Sequence, residues 1–201
     1  MNEDLNLNQL KYAVYINNTE SIEVAKKLNT NHYMSVCSGL KTLYKAAIDW
    51  YPGKKFKFTY FDIVPTAIEF RKFFDLKCNI YSMSEILKQF SSSNTIYPVV
   101  YGGEIEDIDN IIIDELKRLN LYHNWNSFLN EYYLAPKEYI NINIVKEVDV
   151  LKKNILDDDI IWLWFSNCFR WHQFKYSKEI FDNWINEFKN YDIKLSGRWI
   201  K

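Results

Sequence analysis

The chain has 201 residues, 48% of them apolar and 17% aromatic, which suits one domain with a sizeable core. Its 25 Lys and Arg against 26 Asp and Glu leave a net charge of −1 with the signs interspersed, so it carries no electrostatic footprint for nucleic acid or an anionic membrane. Five Gly and four Pro argue against a loop-rich sandwich or a disordered chain. Residues 10–17 read as a short strand or extended arm. Thr19 then caps a helix that buries Ile22, Ala25 and Leu28. A strand over His32–Ser38 stops at Gly39, and a helix over Leu40–Trp50 ends before Pro52-Gly53, a strong stop signal. The alternating run from Phe56 predicts a strand that closes on Asp62. Pro65 opens the helix that follows.

The middle third predicts helices over Ser84–Phe90, over Ile105–Tyr122 and from Trp125 to Tyr133, with a brief extended piece at Tyr97–Tyr101. Strict alternation from Tyr139 to Val145 predicts a strand, and Val148–Ile155 a short helix. The run Asp159–Phe165 is apolar on both faces, as a central strand covered by helices requires. An amphipathic helix over Lys178–Tyr191 and a last strand over Ile193–Ile200 complete the pattern. Alternating strands and helices imply an α/β fold with an open, mostly parallel sheet. Right-handed crossovers then bring the strands' C-terminal ends to one edge, where such sheets bind ligands.

Cys37, Cys78 and Cys168 are odd in number and widely spaced with no CxxC, so three reduced thiols in or near the core are expected. The acidic start, Met1-Asn-Glu-Asp-Leu5, has no apolar stretch, so no signal peptide is expected. The longest apolar run, Ile160–Phe165, falls far short of the roughly 20 residues that span a bilayer. These readings predict a cytosolic location. His32, His123 and His172 show no ligand spacing, so no metal is expected. Cys37-Ser38-Gly39-Leu40 is not a nucleophile elbow, and no Walker loop is present.

The order strand, Gly39, helix, strand, Asp62 is the one in which nucleotide-type cofactors are held. A glycine turn lets a ligand approach the backbone, and an acid takes ribose hydroxyls. Each residue also has a plainer reading. Gly39 can simply permit a tight turn, and Asp62 can stabilise the helix N-terminus that follows. Glu147 and Asp149 fit solvated loop acids, and Ser166 and Asn167 fit a cap. The aromatic group Trp162, Trp164, Phe165, Phe169, Trp171 and Phe174 reads mostly as core.

In pattern order these residues resemble class I S-adenosylmethionine-dependent methyltransferases. The resemblance covers residues 30–75 and 138–190. It implies a Rossmann-like sheet with helices on both faces, one domain over 1–201, and a helical insertion over 76–137. It also implies roles. Ser38 and Gly39 in Val36-Cys37-Ser38-Gly39 would approach the methionine end of S-adenosylmethionine, and Asp62 would hold its ribose. Glu147 or Asp149 would lie near the adenine, and Ser166-Asn167 would face the acceptor. Tyr60-Phe61-Asp62-Ile63 and the run from Ile161 to Asn167 are also similar to uncharacterised methyltransferase-like proteins of tailed phages, which implies the cytoplasm of a host. The turn has one glycine where the family has more, and the fourth motif lacks Pro-Pro-Tyr. Methyl transfer to an unidentified acceptor is the expectation. A non-catalytic phage scaffold or interaction protein, with a protein partner or a second copy, is the alternative. A nucleotide-sugar or dinucleotide enzyme is a third reading.

Overall fold

The structure is a computed structural model that describes residues 13–15, 28–93, 97–99, 104–166 and 176–197. The strands are β1 (Ala13–Tyr15), β2 (His32–Val36), β3 (Lys57–Asp62), β4 (Tyr97–Val99), β5 (Lys137–Asn141), β6 (Ile161–Ser166) and β7 (Ile193–Gly197). The helices are α1 (Lys41–Asp49), α2 (Pro65–Asp75), α3 (Met83–Ser93), α4 (Ile108–Arg118), α5 (Trp125–Leu134), α6 (Val148–Lys152) and α7 (Lys178–Asn186). Five strands form one sheet in the order β5–β3–β2–β6–β7, and every pairing in it is parallel. The chain runs outward from β2 through β3 to β5, then returns to the other side of β2 for β6 and β7. The fold is thus the expected α/β, Rossmann-like sheet with a helical insertion. Between β3 and β5 lie α3, α4 and α5 in addition to the crossover helix α2. The short strands β1 and β4 pair in parallel as a separate sheet beside α2.

Strand chemistry follows position. β2 and β6 lie in the sheet interior and are buried along their whole length, so alternation with polar residues is unnecessary there. β5 and β7 lie at the edges and alternate, presenting Glu138 and Lys194 to solvent, as edge strands that resist further pairing do. One face packs on α1, α2 and α5. There Phe128 and Tyr132 stack together, and the Tyr132 ring stands edge-on to Phe58 at 4.7 Å. The other face packs on α7, where Phe165 meets Phe181 at 5.9 Å and Trp184 at 5.5 Å. The Trp184 indole N–H donates to Ile144 O at 2.8 Å, which ties α7 to the segment after β5.

Several boundaries differ from the sequence reading for local reasons. β5 stops at Asn141, although Ile142 and Ile144 are buried as the alternation requires. Asn143 folds the chain instead: its side chain accepts the Val145 N–H, and its own N–H goes to Glu147 Oε2. α4 ends at Arg118 because Asn120 takes φ +58° and the Leu121 N–H returns to Leu116 O at 2.8 Å, a left-handed helix stop. Beyond Asn186, α7 continues only as single tight turns through Tyr191. The expected helix from Thr19 and the residues after Gly197 lie outside the described residues.

The N-terminal rim of the sheet is closed by a buried polar group. His32 Nδ1 lies 2.8 Å from Asp159 Oδ2, and His32 Nε2 lies 2.9 Å from Thr59 Oγ1. Lys57 Nζ sits 2.8 Å from Asp159 Oδ1, and the Leu156 N–H donates to Oδ2. Burial lowers the His32 pKa and outweighs the raising effect of Asp159. The ring is therefore neutral, with Nδ1–H donating to Asp159 and Nε2 accepting from Thr59. Burial pushes the Asp159 carboxyl up, but the Leu156 N–H, Lys57 and His32 together hold it below its ordinary value.

As pH falls below about 6.5 the unfolded chain takes up a proton at position 32 before the folded one does, so stability falls, at most by about 1.4 kcal/mol per pH unit. Replacing His32 by Gln removes this titration. Urea unfolding at pH 7.5 and pH 5.5 should show a larger acid loss in the wild-type chain than in His32→Gln; equal losses would refute the assignment.

Candidate functional site

The C-terminal rim of the same sheet is built differently. β2 ends at Val36, and the chain turns through Cys37, Ser38 and Gly39 into α1. Gly39 takes φ +78°, a conformation that side chains with a Cβ rarely adopt. The neighbouring strand β3 closes on Asp62. Val36 lies opposite Phe61, and the Cys37 N–H donates to Phe61 O at 3.0 Å, so the turn and the acid occupy adjacent strand ends. On the other side of β2, Ser35 lies opposite Trp164, which brings Ser166 to the same rim. Ser166 is buried and sits at φ +50°, an uncommon conformation for a residue other than glycine. The winding reverses between β2 and β6, so this part of the rim is the topological switch point of the sheet.

Asp62 is half-buried. Its Oδ1 accepts the Val64 N–H at 3.0 Å, just ahead of Pro65 at the start of α2. Burial pushes its carboxyl up to about 6, against the opposing pull of the backbone N–H groups of Val64, Cys37 and Ile63. An acid raised in this way gains from any ligand hydroxyl that donates to it.

The structure brings Ser38, Gly39, Asp62 and Ser166 together on one rim. Glu147 and Asp149 are exposed and stand at the start of α6, past the Asn143 turn. Glu147 Oε2 serves the Asn143 N–H, and Asp149 Oδ1 lies 3.1 Å from Lys152 Nζ. Asn167, Phe169, Trp171 and Phe174 lie outside the described residues. Trp162, Trp164 and Phe165 are core, and Cys37 and Cys78 are buried and free. Burial pushes the Cys78 thiol up to about 12 and the Cys37 thiol well above its ordinary value. Among the described residues no group of His, Cys, Asp or Glu is placed to hold a metal ion, and no helix is long and apolar enough to cross a membrane.

Behind the rim lies a buried polar cluster that the sequence reading did not single out. Arg71 of α2 is 2% exposed, and its Nε stands 3.1 Å from Asp75 Oδ1 one helical turn on. Arg71 Nη2 donates to the hydroxyls of Tyr60 (2.5 Å) and Tyr132 (2.7 Å), and Nη1 donates to Gly39 O at 3.3 Å. The guanidinium also lies over the Tyr60 ring, 3.9 Å from its centroid. Asp75 accepts from the hydroxyls of Tyr132 and Tyr139. Tyr132 spends its one proton on Asp75, so in the 2.9 Å contact between hydroxyls it is Tyr60 that donates to Tyr132. Burial raises the pKa of all three phenols, which remain neutral donors. A signal was present: Arg71 and Asp75 share the buried stripe of α2 with Ile68, Phe70 and Phe74 at i,i+4 spacing.

Comparison with protein-family models, with curated proteins and with solved structures gives no match for this chain.

The raised Asp62 titration has a definite sign. The folded chain binds the Asp62 proton more tightly than the unfolded one, so the stability it contributes below about pH 4 is lost as pH rises through about 6. Asp62→Asn keeps an oxygen for the Val64 N–H and carries no charge. Chemical denaturation should find this variant more stable than wild type at pH 8, by about 1–2 kcal/mol after allowing for partial exposure, with the gap closing by pH 4. A gap independent of pH would mean that Asp62 is not raised.

Proposed function

We propose that the protein is a methyltransferase-like protein that binds S-adenosylmethionine at the rim shared by β2, β3 and β6. The observation that carries the reading is Asp62, a half-buried carboxyl at the end of β3, beside the left-handed Gly39 turn at the switch point. The donor set fits the ligand. A carboxylate accepts from ribose hydroxyls, and a glycine turn has no Cβ to keep a ligand from the backbone. When bound, S-adenosylmethionine supplies a methyl group activated on a sulfonium. The chain's own residues then have to orient the reactants and exclude water, which needs no acid or base. Ser38 and Gly39 would approach the amino-acid end, Asp62 would hold the ribose and Ser166 would face the acceptor, while the acceptor role expected of Asn167 falls outside the described residues. The helical segment between β3 and β5 would then select the acceptor.

Calorimetric titration with S-adenosylmethionine, NAD and a nucleotide sugar tests this reading. Wild type should bind the first, and Asp62→Ala should weaken that binding at least about tenfold, or about 1.4 kcal/mol, while still unfolding cooperatively. Wild-type binding should also be weaker at pH 5 than at pH 7.5, because the acid that takes the hydroxyls is then protonated. Preference for NAD or the nucleotide sugar would reassign the rim to another nucleotide ligand. Silence with all three would point to a non-catalytic scaffold of the same fold.

A further inference from the structure

We infer that Arg71 is the positioning residue of the Cys37–Gly39 turn and that, through Tyr132, it ties the conformation of that turn to the helical segment between β3 and β5. The guanidinium touches both sides. Its Nη1 donates to Gly39 O at the end of the turn, and its Nη2 donates to Tyr132 on α5, the last helix before β5. Nη2 also bonds Tyr60 on β3, and Nε lies against Asp75 on its own helix. Asp75 in turn receives the hydroxyls of Tyr132 and of Tyr139 on β5. Four elements therefore meet at one fork whose planar geometry fixes each direction.

The consequence for the turn is specific. No peptide bond in the described chain is cis, so the Gly39 carbonyl and the Leu40 N–H point in opposite directions across one planar unit. With the carbonyl drawn inward to Arg71, the Leu40 N–H is turned away from the cluster. Loss of the Arg71 contact frees that unit to rotate, and a glycine in the left-handed region opposes such rotation less than any other residue. The hydroxyl of Tyr132 holds Nη2 and Asp75 at once, so a shift of α5 reaches the turn through the same fork. Arg71 touches no ligand in this role. Its effect on ligand affinity rests on the functional reading given above, whereas its effect on the turn does not.

Tyr132→Phe removes one hydroxyl and preserves the ring, its edge-on contact with Phe58 and its stack on Phe128. Amide hydrogen exchange should then be at least tenfold faster over residues 37–41 in the variant. Over α7, on the opposite face of the sheet, it should change no more than the loss of global stability dictates. Arg71→Lys keeps a cation for Asp75 but has no fork to reach Gly39, and it should loosen the same five residues. It serves as the test should Tyr132→Phe fail to fold. A uniform change over residues 37–41 and 178–186 would overturn the proposal. An unaltered S-adenosylmethionine affinity in a variant whose turn is loosened would instead refute the placement of the ligand at this turn. If the wild-type chain takes up no S-adenosylmethionine, the functional reading fails on its own, and the exchange data still decide the role of Arg71.

Discussion

The parallel pairing of β2 between β3 and β6 is the constraint on which the rest of the structure depends. Because all five strands of the large sheet run the same way, their C-terminal ends form one rim and their N-terminal ends the other. Residues distant in sequence, such as Gly39, Asp62 and Ser166, become neighbours through register alone. The two rims have received opposite treatment. At the N-terminal rim, His32, Thr59 and Asp159 are buried and satisfy one another, with Lys57 paired to Asp159. At the C-terminal rim the acid is only half-buried, the serine is held in an uncommon conformation, and the glycine turns in the left-handed region. That asymmetry suits a closed foot and a working head.

Two buried ion pairs in this protein are completed by tyrosine. Arg71 and Asp75 on α2 form a buried pair with i,i+4 spacing, as do Lys45 and Asp49 on α1. Each helix rests on the same face of the sheet, and in each case strand tyrosines complete the carboxylate or the guanidinium: Tyr33 for Asp49, Tyr60 and Tyr139 for the other pair. A buried ion pair gains little over a hydrophobic pair of equal volume, but one stripped of a partner is strongly destabilising. The phenols suit this task because their rings add to the core while their hydroxyls saturate the charge. The scarcity of glycine and the abundance of aromatic residues thus express one solution: large side chains supply both the filling and the polar contacts.

Most of the sheet could be read from the chain. The fully apolar run ending at Phe165 implied an interior strand, and Pro65, Pro52-Gly53 and Asp62 marked ends that the structure places within a residue or two. The rim residues were legible because strand ends in a parallel sheet share an edge whatever their separation. The polar clusters were not. A lone Arg71 in a helical stripe, or a His32 at the start of a strand, carries no sign of its partners when those lie on other elements, such as Tyr132, Thr59 or Asp159. Only register and crossing geometry bring them into contact. The end of β5 failed for a different reason. The alternation of Ile140, Ile142 and Ile144 persists into a segment that Asn143 has already turned out of the ladder, so burial continues after the strand has stopped.

The small sheet carries a consequence of another kind. β1 and β4 join through three residue pairs across an interval of more than eighty positions, an interval that contains β2, β3 and both of their crossover helices. Closing so wide a loop costs entropy that three pairs cannot offset by themselves. The three pairs are therefore held by the surrounding fold, β1 resting on α2 as well as on β4.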